Sequence, residues 1–434
     1  MSRFSVHALF TRRWSRVLLS LASAAMAQPV PVLLSGAPGA YTLLRDGKPY
    51  FVTGAGGTAS PDLLKTLGGN SIRLWGADNI DKQLDDAHKL GLTVTVGIWL
   101  KHERHGFDYK NADQVAEQYE KAKAAILKYK DHPAVLMWGI GNEMEGEGND
   151  AAIWSAINNI AAMAKQLDPN HPTMTVIAEM GGQGQKVENI HRLCPAIDII
   201  GINSYGGGPS VAERYKKFEL ELELELGGTK PYIITEFGPN GTWEVGRNDF
   251  GAPSELTSTQ KASAFRNTYE KSVLAAKGTC LGSYAFLWGH KFEATATWFG
   301  MLLPDDTRLA SADTMSELWT GKAPANRVPV IETFAFDGAD RGAPGANVKV
   351  KLIASDPEKD AMTAEWVLLR ETNQYETGGD FMATPEQLAK SVHDASTTGA
   401  TVTLPAQAGV YRIYVYLRDG KGGGATGTLP VLVK

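Results

Sequence analysis

The sequence predicts a (β/α)8 barrel followed by a small all-β sandwich. Two observations carry this. Between residue 50 and about residue 320, eight short β-rich runs alternate with amphipathic helical segments. After Trp319 helical periodicity fades and period-two patterns take over. A length of 434 residues accommodates a barrel of about 250 residues plus a further unit. With 43% hydrophobic and 21% charged residues, the composition excludes a mainly disordered or fibrous chain. Forty-three basic against 48 acidic residues give a net charge of −5 with no long basic run, so no nucleic-acid partner is expected.

The first 27 residues read as an export leader, with the mature chain beginning at Gln28. Arg12, Arg13 and Arg16 form a positive region, and the apolar run 17–26 is too short for a bilayer span. Ala25-Met26-Ala27 then offers small residues for cleavage. Arg12-Arg13 also permits a twin-arginine reading, but Ser15 and Arg16 follow where apolar residues are wanted, which favours ordinary secretion. A secreted or periplasmic chain without an integral membrane segment is expected. An exported chain could join Cys194 and Cys280, but they precede strands that are not neighbours in this reading, so a disulfide is the less favoured state, and two cysteines cannot build a zinc site alone. His102-Glu103-Arg104-His105 lacks the spacing of the zinc-protease helix and reads as a solvated loop.

The eight barrel strands are expected at 50–54, 71–75, 93–98, 134–140, 173–178, 198–203, 231–236 and 282–288. Ser60-Pro61 supplies an N-cap and a first-turn proline for the first helix. Segments 113–129 and 151–167 carry apolar stripes at helical spacing. A doubly wound open sheet is the runner-up, but it rarely needs eight regular units. Segment 218–226 alternates Glu and Leu with period two, a strand pattern. Both residues are strong helix formers and the barrel needs a helix there, so a helix is predicted. Residues 320–329, with Gly321, Pro324 and Pro329, read as a linker. The domains are then 1–27 leader, 28–322 barrel and 323–434 sandwich, with strands at 348–354, 363–369, 400–404 and 410–417. In the last run Tyr411, Ile413, Val415 and Leu417 share the buried face, leaving Arg412, Tyr414 and Tyr416 outward. Ser355-Asp356-Pro357-Glu358 and the Tyr411…Asp419-Gly420 ending resemble bacterial immunoglobulin-like or cadherin-like modules. Tyr414 and Tyr416 could stack a sugar. The alternative is a spacer or cap, under which a barrel ending near Lys322 works alone.

Active sites of such barrels form where strands end at the carboxyl face. The polar residues at those ends are Arg73 on strand 2, Asn142-Glu143 after strand 4, Asn203-Ser204-Tyr205 after strand 6, Thr235-Glu236 on strand 7 and Trp288 on strand 8. The run His132-Pro133-Ala134-Val135-Leu136-Met137-Trp138-Gly139-Ile140-Gly141-Asn142-Glu143 resembles the strand-4 signature of retaining β-glycosidases of clan A, most closely the barrel of family 2. Thr235-Glu236-Phe237-Gly238 matches that clan's second catalytic position. The similarity covers residues 45–320, although family 2 enzymes usually carry β-domains ahead of the barrel.

The resemblance implies that Glu143 is the general acid/base and Glu236 the nucleophile. Retaining hydrolysis needs two such carboxyl groups about 5–5.5 Å apart. Arg73 could hold Glu236 as an anion, and Tyr205 could donate a hydrogen bond to it. Asn142 could bond the sugar 2-hydroxyl, and Trp288 could floor the reacting subsite. Glu179, ending strand 5, reads as structural. Trp75, Trp99, Trp243 and Trp298 read equally well as outer sugar platforms or as packing. The expectation is an exported β-glycosidase with a carbohydrate substrate, β-glucan favoured, and no metal or organic cofactor. A transglycosylase using the same two glutamates, or a catalytically dead sugar-binding barrel, are the alternatives.

Overall fold

The computed structural model describes residues 28–226, 228–375 and 378–434; the expected leader, residues 1–27, lies outside them. A three-stranded antiparallel ribbon comes first: β1 (Val32–Ser35), β2 (Thr42–Arg45) and β3 (Lys48–Tyr50). Its apolar residues Val32 and Leu43 pack with Leu136, Met174, Ile199 and Ile233 from the barrel strands. The ribbon therefore plugs the end of the barrel away from the strand-end carboxyl groups. Arg45 fastens it by donating to the carbonyl of Pro133, just before the fourth barrel strand, at 2.9 Å.

Eight parallel strands close the barrel: β4 (Val52–Gly56), β5 (Ser71–Leu74), β6 (Thr93–Ile98), β7 (Val135–Ile140), β8 (Thr173–Ala178), β9 (Ile199–Asn203), β10 (Tyr232–Glu236) and β11 (Cys280–Phe286). Pairing of β11 with both β10 and β4 completes the circle. The interior is filled by side chains. Tyr284 lies across it, its hydroxyl within hydrogen-bond reach of Ser71 Oγ (2.8 Å) and Thr95 Oγ1 (2.6 Å). Gly54 is required opposite that ring, because a Cβ there would fall 2.5 Å from it.

The helices α1 (Pro61–Thr66), α2 (Asp81–Lys89), α3 (Ala112–Tyr129), α4 (Ala151–Leu167), α5 (Gln185–Leu193), α6 (Val211–Leu226), α7 (Ser258–Thr268) and α8 (Ala310–Thr320) surround the strands. The caps are local. Ser60 Oγ accepts from the Leu63 amide ahead of α1, Asn111 caps α3, and Thr257 with Gln260 forms a capping box on α7. The Glu-Leu run is helical, within α6. Winding carries its leucines around the helix, so Leu222 is buried while Leu220 and Leu224 face solvent. Cys194 and Cys280 are buried free thiols.

After α8 the chain builds two four-stranded sheets. The first holds β12 (Val330–Phe336), β14 (Asn347–Ser355), β17 (Gly399–Thr403) and β16 (Val392–Ser396). The second holds β13 (Arg341–Gly342), β19 (Gly424–Val433), β18 (Gly409–Arg418) and β15 (Thr363–Arg370). Their inner faces share a core that includes Val350, Leu352, Trp366, Ile413 and Val415. β19 escaped the sequence reading because its glycines and Pro430 break the strand pattern.

The outer face of the second sheet corrects the reading of β18. Arg412 and Tyr414 are buried, because this face packs on the barrel. Tyr414 and Tyr416 stack on each other with ring centroids 6.2 Å apart, and Tyr414 packs with Phe292 and Ala296 of the barrel. They form no free sugar platform. Arg412 donates two bonds to the Glu371 carboxylate (both 2.7 Å), one to Thr428 Oγ1 (3.1 Å) and one to the Pro253 carbonyl of the barrel (2.9 Å). Thr426 N also donates to Ser258 Oγ (2.9 Å), and Ile331 N to Thr259 Oγ1 (3.0 Å), both at the start of α7. A spacer would need none of these bonds.

Removing one partner of a buried ion pair strands the other. Arg412→Met should therefore cost about 3–5 kcal/mol. Denaturant unfolding of the full chain is expected to show the loss, and Glu371→Gln added to it should restore part. A midpoint unmoved by Arg412→Met would mean the pair is not buried as described.

Candidate active site

Strand ends bring the predicted polar residues into one cleft at the barrel mouth, a cavity of about 1310 Å³. That exceeds the roughly 300–1,000 Å³ of ordinary small-ligand pockets. Glu143, Glu236, Asn142, Asn203 and Tyr205 line it. Arg73 lies just beneath, 3% exposed.

Glu236 ends β10 and is buried, and three donors converge on its carboxylate. Arg73 Nη1 (2.8 Å) and Trp75 Nε1 (2.8 Å) reach Oε1, and the Tyr205 hydroxyl (2.8 Å) reaches Oε2. Arg73 also donates to the Thr235 carbonyl (3.0 Å) and to Asn142 Oδ1 (2.6 Å), so one guanidinium ties the ends of β10 and β7 to β5. Charge-assisted bonds of this kind are each worth about 1.5–3 kcal/mol. The burial of Tyr205 and the negative charges around it push its hydroxyl well above the ordinary tyrosine range, so it is a donor.

Glu143 is placed differently. Its backbone is left-handed, with φ of 52°, and its amide donates to the Val176 carbonyl at 2.9 Å. This turn at the end of β7 keeps the side chain in the mouth. Its one described hydrogen-bond donor is Asn203 Nδ2, 2.7 Å from Oε1. Thr235 Oγ1 donates to Asn203 Oδ1 (2.7 Å), which leaves the Asn203 amide to donate to Glu143 and to Asn142 Oδ1 (3.2 Å). Enclosure pushes the Glu143 carboxyl up to about 7, with the nearby negative charge of Glu236 as the second cause. Two carboxyl groups thus share a cleft in opposite settings: one ringed by donors, the other nearly without them.

Trp288 is a correction. β11 ends at Phe286, two residues before the predicted end. Trp288 is 1% exposed, behind the mouth, with Nε1 donating to the Ser60 carbonyl (3.1 Å) and its amide to the Gly56 carbonyl (2.7 Å). Phe286 lines the cleft instead. Trp298 is also buried, bonded to the Asn240 carbonyl (2.9 Å), so it is packing. Trp99 and Trp243 are exposed on the cleft wall. Glu179 lines the cleft too, with Ser204 Oγ donating to it and Arg214 Nη2 at 2.8 Å.

Sequence pattern alone assigns Asn203 no contact and leaves Trp75 among the possible platforms. Both had a signal. Asn203 is a strand-end polar residue two before Tyr205, and Trp75 follows Arg73 by two, hence on the same face. Residues 373–375 and 378–381, from the C-terminal module, also line the cleft and had no local signal.

Comparison with known proteins agrees with this architecture. Residues 84–288 match the family model described as glycosyl hydrolases family 2, TIM barrel domain. The chain is 25% identical over 190 residues to a β-glucuronidase of Paenibacillus borealis, covering 41% of this chain and 30% of that one. It is 24% identical over 187 residues to the human β-glucuronidase, covering 41% and 26%. The chain thus spans less than a third of either relative's length. Among solved structures, Bacteroides uniformis β-glucuronidase 2, covalently bound to cyclophellitol-6-carboxylate aziridine, superposes with a TM-score of 0.51 at 15% identity, covering 93% of this chain and 48% of that one. Residues 84–288 of the barrel are therefore similar to the family 2 TIM barrel domain.

The Glu143 setting predicts its titration. Glu236→Gln removes a neighbouring negative charge and should lower the Glu143 midpoint from about 7. Asn203→Ala removes the donor that favours the charged form and should raise it. Infrared difference titration of the carboxyl stretch reads both shifts; midpoints moving the opposite way would reject the assignment.

Proposed function

We propose that the protein is an exported retaining β-glycoside hydrolase that acts on β-linked oligo- or polysaccharide by double displacement. The observation that carries the reading is the pair of carboxyl groups in one cleft in opposite settings, Glu236 among three donors and Glu143 pushed up to about 7. In the first step a Glu236 oxygen bonds the anomeric carbon while the glycosidic C–O bond breaks, and Glu143 gives its proton to the leaving oxygen. In the second, ionised Glu143 takes a proton from water, the water oxygen attacks the anomeric carbon, and Glu236 leaves as the carboxylate. Arg73, Trp75 and Tyr205 position the nucleophile. Asn142 Oδ1 accepts from Arg73 and Asn203, which leaves its amide hydrogens for the sugar 2-hydroxyl.

Charge supports a neutral sugar, with β-glucan favoured. Among the described residues, six carboxyl-bearing side chains line the cleft (Glu143, Glu179, Glu236, Glu244, Glu293 and Asp380) against three basic ones (Arg104, Arg247 and Lys291). Arg104 and Lys291 are paired with Asp380 and Glu293. A uronate would meet like charge here, unlike the substrates that the relatives' names imply. Activity on 4-nitrophenyl β-glucoside is expected to exceed that on the β-glucuronide; the reverse order would overturn the neutral-sugar reading.

Glu143→Gln and Glu236→Gln should each remove most of kcat with the fold intact. A substrate with a good leaving group should partly rescue the Glu143 variant only, since such a group departs without protonation. Near-normal turnover of a natural substrate in both variants would show the site is wrong. The pH dependence follows from the raised carboxyl: the protonated acid is present below about 7 and lost above it, so kcat/KM should fall as pH rises through that value. A flat profile from pH 6 to 9 would remove Glu143 as the acid.

A further inference from the structure

A strap from the C-terminal module lies against the barrel mouth, within the connection between β15 and β16, and three barrel loops hold it. Thr242 Oγ1 donates to the Tyr375 carbonyl. Asp380 accepts from Arg104 Nη2 (3.1 Å) and pairs with His105 Nε2 (3.0 Å), while Arg104 also reaches the Gly378 carbonyl (3.0 Å). Lys291 Nζ donates to the Gly379 carbonyl (2.7 Å), and Ala294 N to the Met382 sulfur (3.3 Å). Met382 is buried against Phe292 and Tyr414, so the tyrosine pair on β18 backs the strap.

Between the pinned residues Asp380 and Met382 stands Phe381, 90% exposed and lining the cleft. Leaving a phenylalanine in water forgoes about 1.5–3 kcal/mol of burial. Among the described residues, three Phe, Tyr or Trp side chains are exposed: Trp99, Trp243 and Phe381. All three line this one cleft. Scatter over the surface would call for no explanation; convergence on one cavity does. Flat apolar rings beside polar groups suit a ligand whose rings carry one apolar face and a polar rim, as pyranose sugars do.

We propose that Phe381 is a substrate-binding residue: through this strap the C-terminal module supplies an outer sugar subsite facing Trp99 and Trp243. The inference rests on the glycosidase reading above. It replaces the view of the module as a spacer and implies that the cleft is complete only when the module is docked.

The experiment uses the full chain with β-linked gluco-, manno- and galacto-oligosaccharides of two to six residues, and the matching 4-nitrophenyl monoglycosides. Phe381→Ala is expected to raise KM about tenfold on the longest chains, a loss of about 1.4 kcal/mol, with kcat and monoglycoside hydrolysis little changed. Phe381→Trp should restore the wild-type value. Asp380→Ala, which frees the strap from Arg104 and His105, should reproduce the chain-length defect. Wild-type cleavage with an unaltered chain-length profile in Phe381→Ala would overturn the subsite alone. Absence of wild-type cleavage across the whole panel would overturn the glycosidase reading, and the subsite with it.

Discussion

Everything at the barrel mouth is arranged around one desolvated cation. Arg73 is buried on β5, and its guanidinium must be satisfied by protein, since an unpaired buried charge costs several kcal/mol. Its bonds go to the Glu236 carboxylate, the Thr235 carbonyl and the Asn142 amide oxygen. These lie on or beyond β10 and β7, so the charge fixes the relative positions of three strand ends. Glu143, next to Asn142, receives no such bond; burial, and then the charge of Glu236, hold its carboxyl neutral more readily. Burial on one side of the pair and a cation on the other set the polarity of the cleft.

Much of this was legible in the chain because it depends on local pattern. Strands 93–98 and 173–178 were placed to the residue, since their apolar runs are bounded by clear turn signals. The Asn142-Glu143 and Thr235-Glu236 positions follow from strand ends alone. Trp288 failed because a strand's last residue has no sharp signature: a two-residue error in the end of β11 moves a side chain from the mouth to the core. Arg412 and Tyr414 failed for another reason. Period two separates the faces of a strand but does not say whether a second surface covers the outer one, and here the barrel does. The strap could not be read at all, because Asp380 and Arg104 meet across 276 residues.

The two structural units divide the work by rigidity. Strand ends, held by the barrel ladder, carry the groups whose geometry must be exact to fractions of an ångström. The rim that meets the rest of the ligand comes from connections, including one from the sandwich, where sequence varies at little cost to the core. Buried ties at Arg412, Ser258 and Thr259 keep the second unit from swinging away from the first.

The docked strap also sets an order of events during synthesis. Both carboxyl groups are in the chain once residue 236 is made, but Phe381 is added about seven to thirty seconds later at roughly 5–20 residues per second. Until Phe381 and, later still, Tyr414 are made, the barrel's rim lacks one wall and the apolar surface that will receive Tyr414 stands open. A nascent chain of this protein is therefore most exposed to wrong association when its chemistry is already encoded, and the last hundred residues act, in time, as the step that closes both risks together.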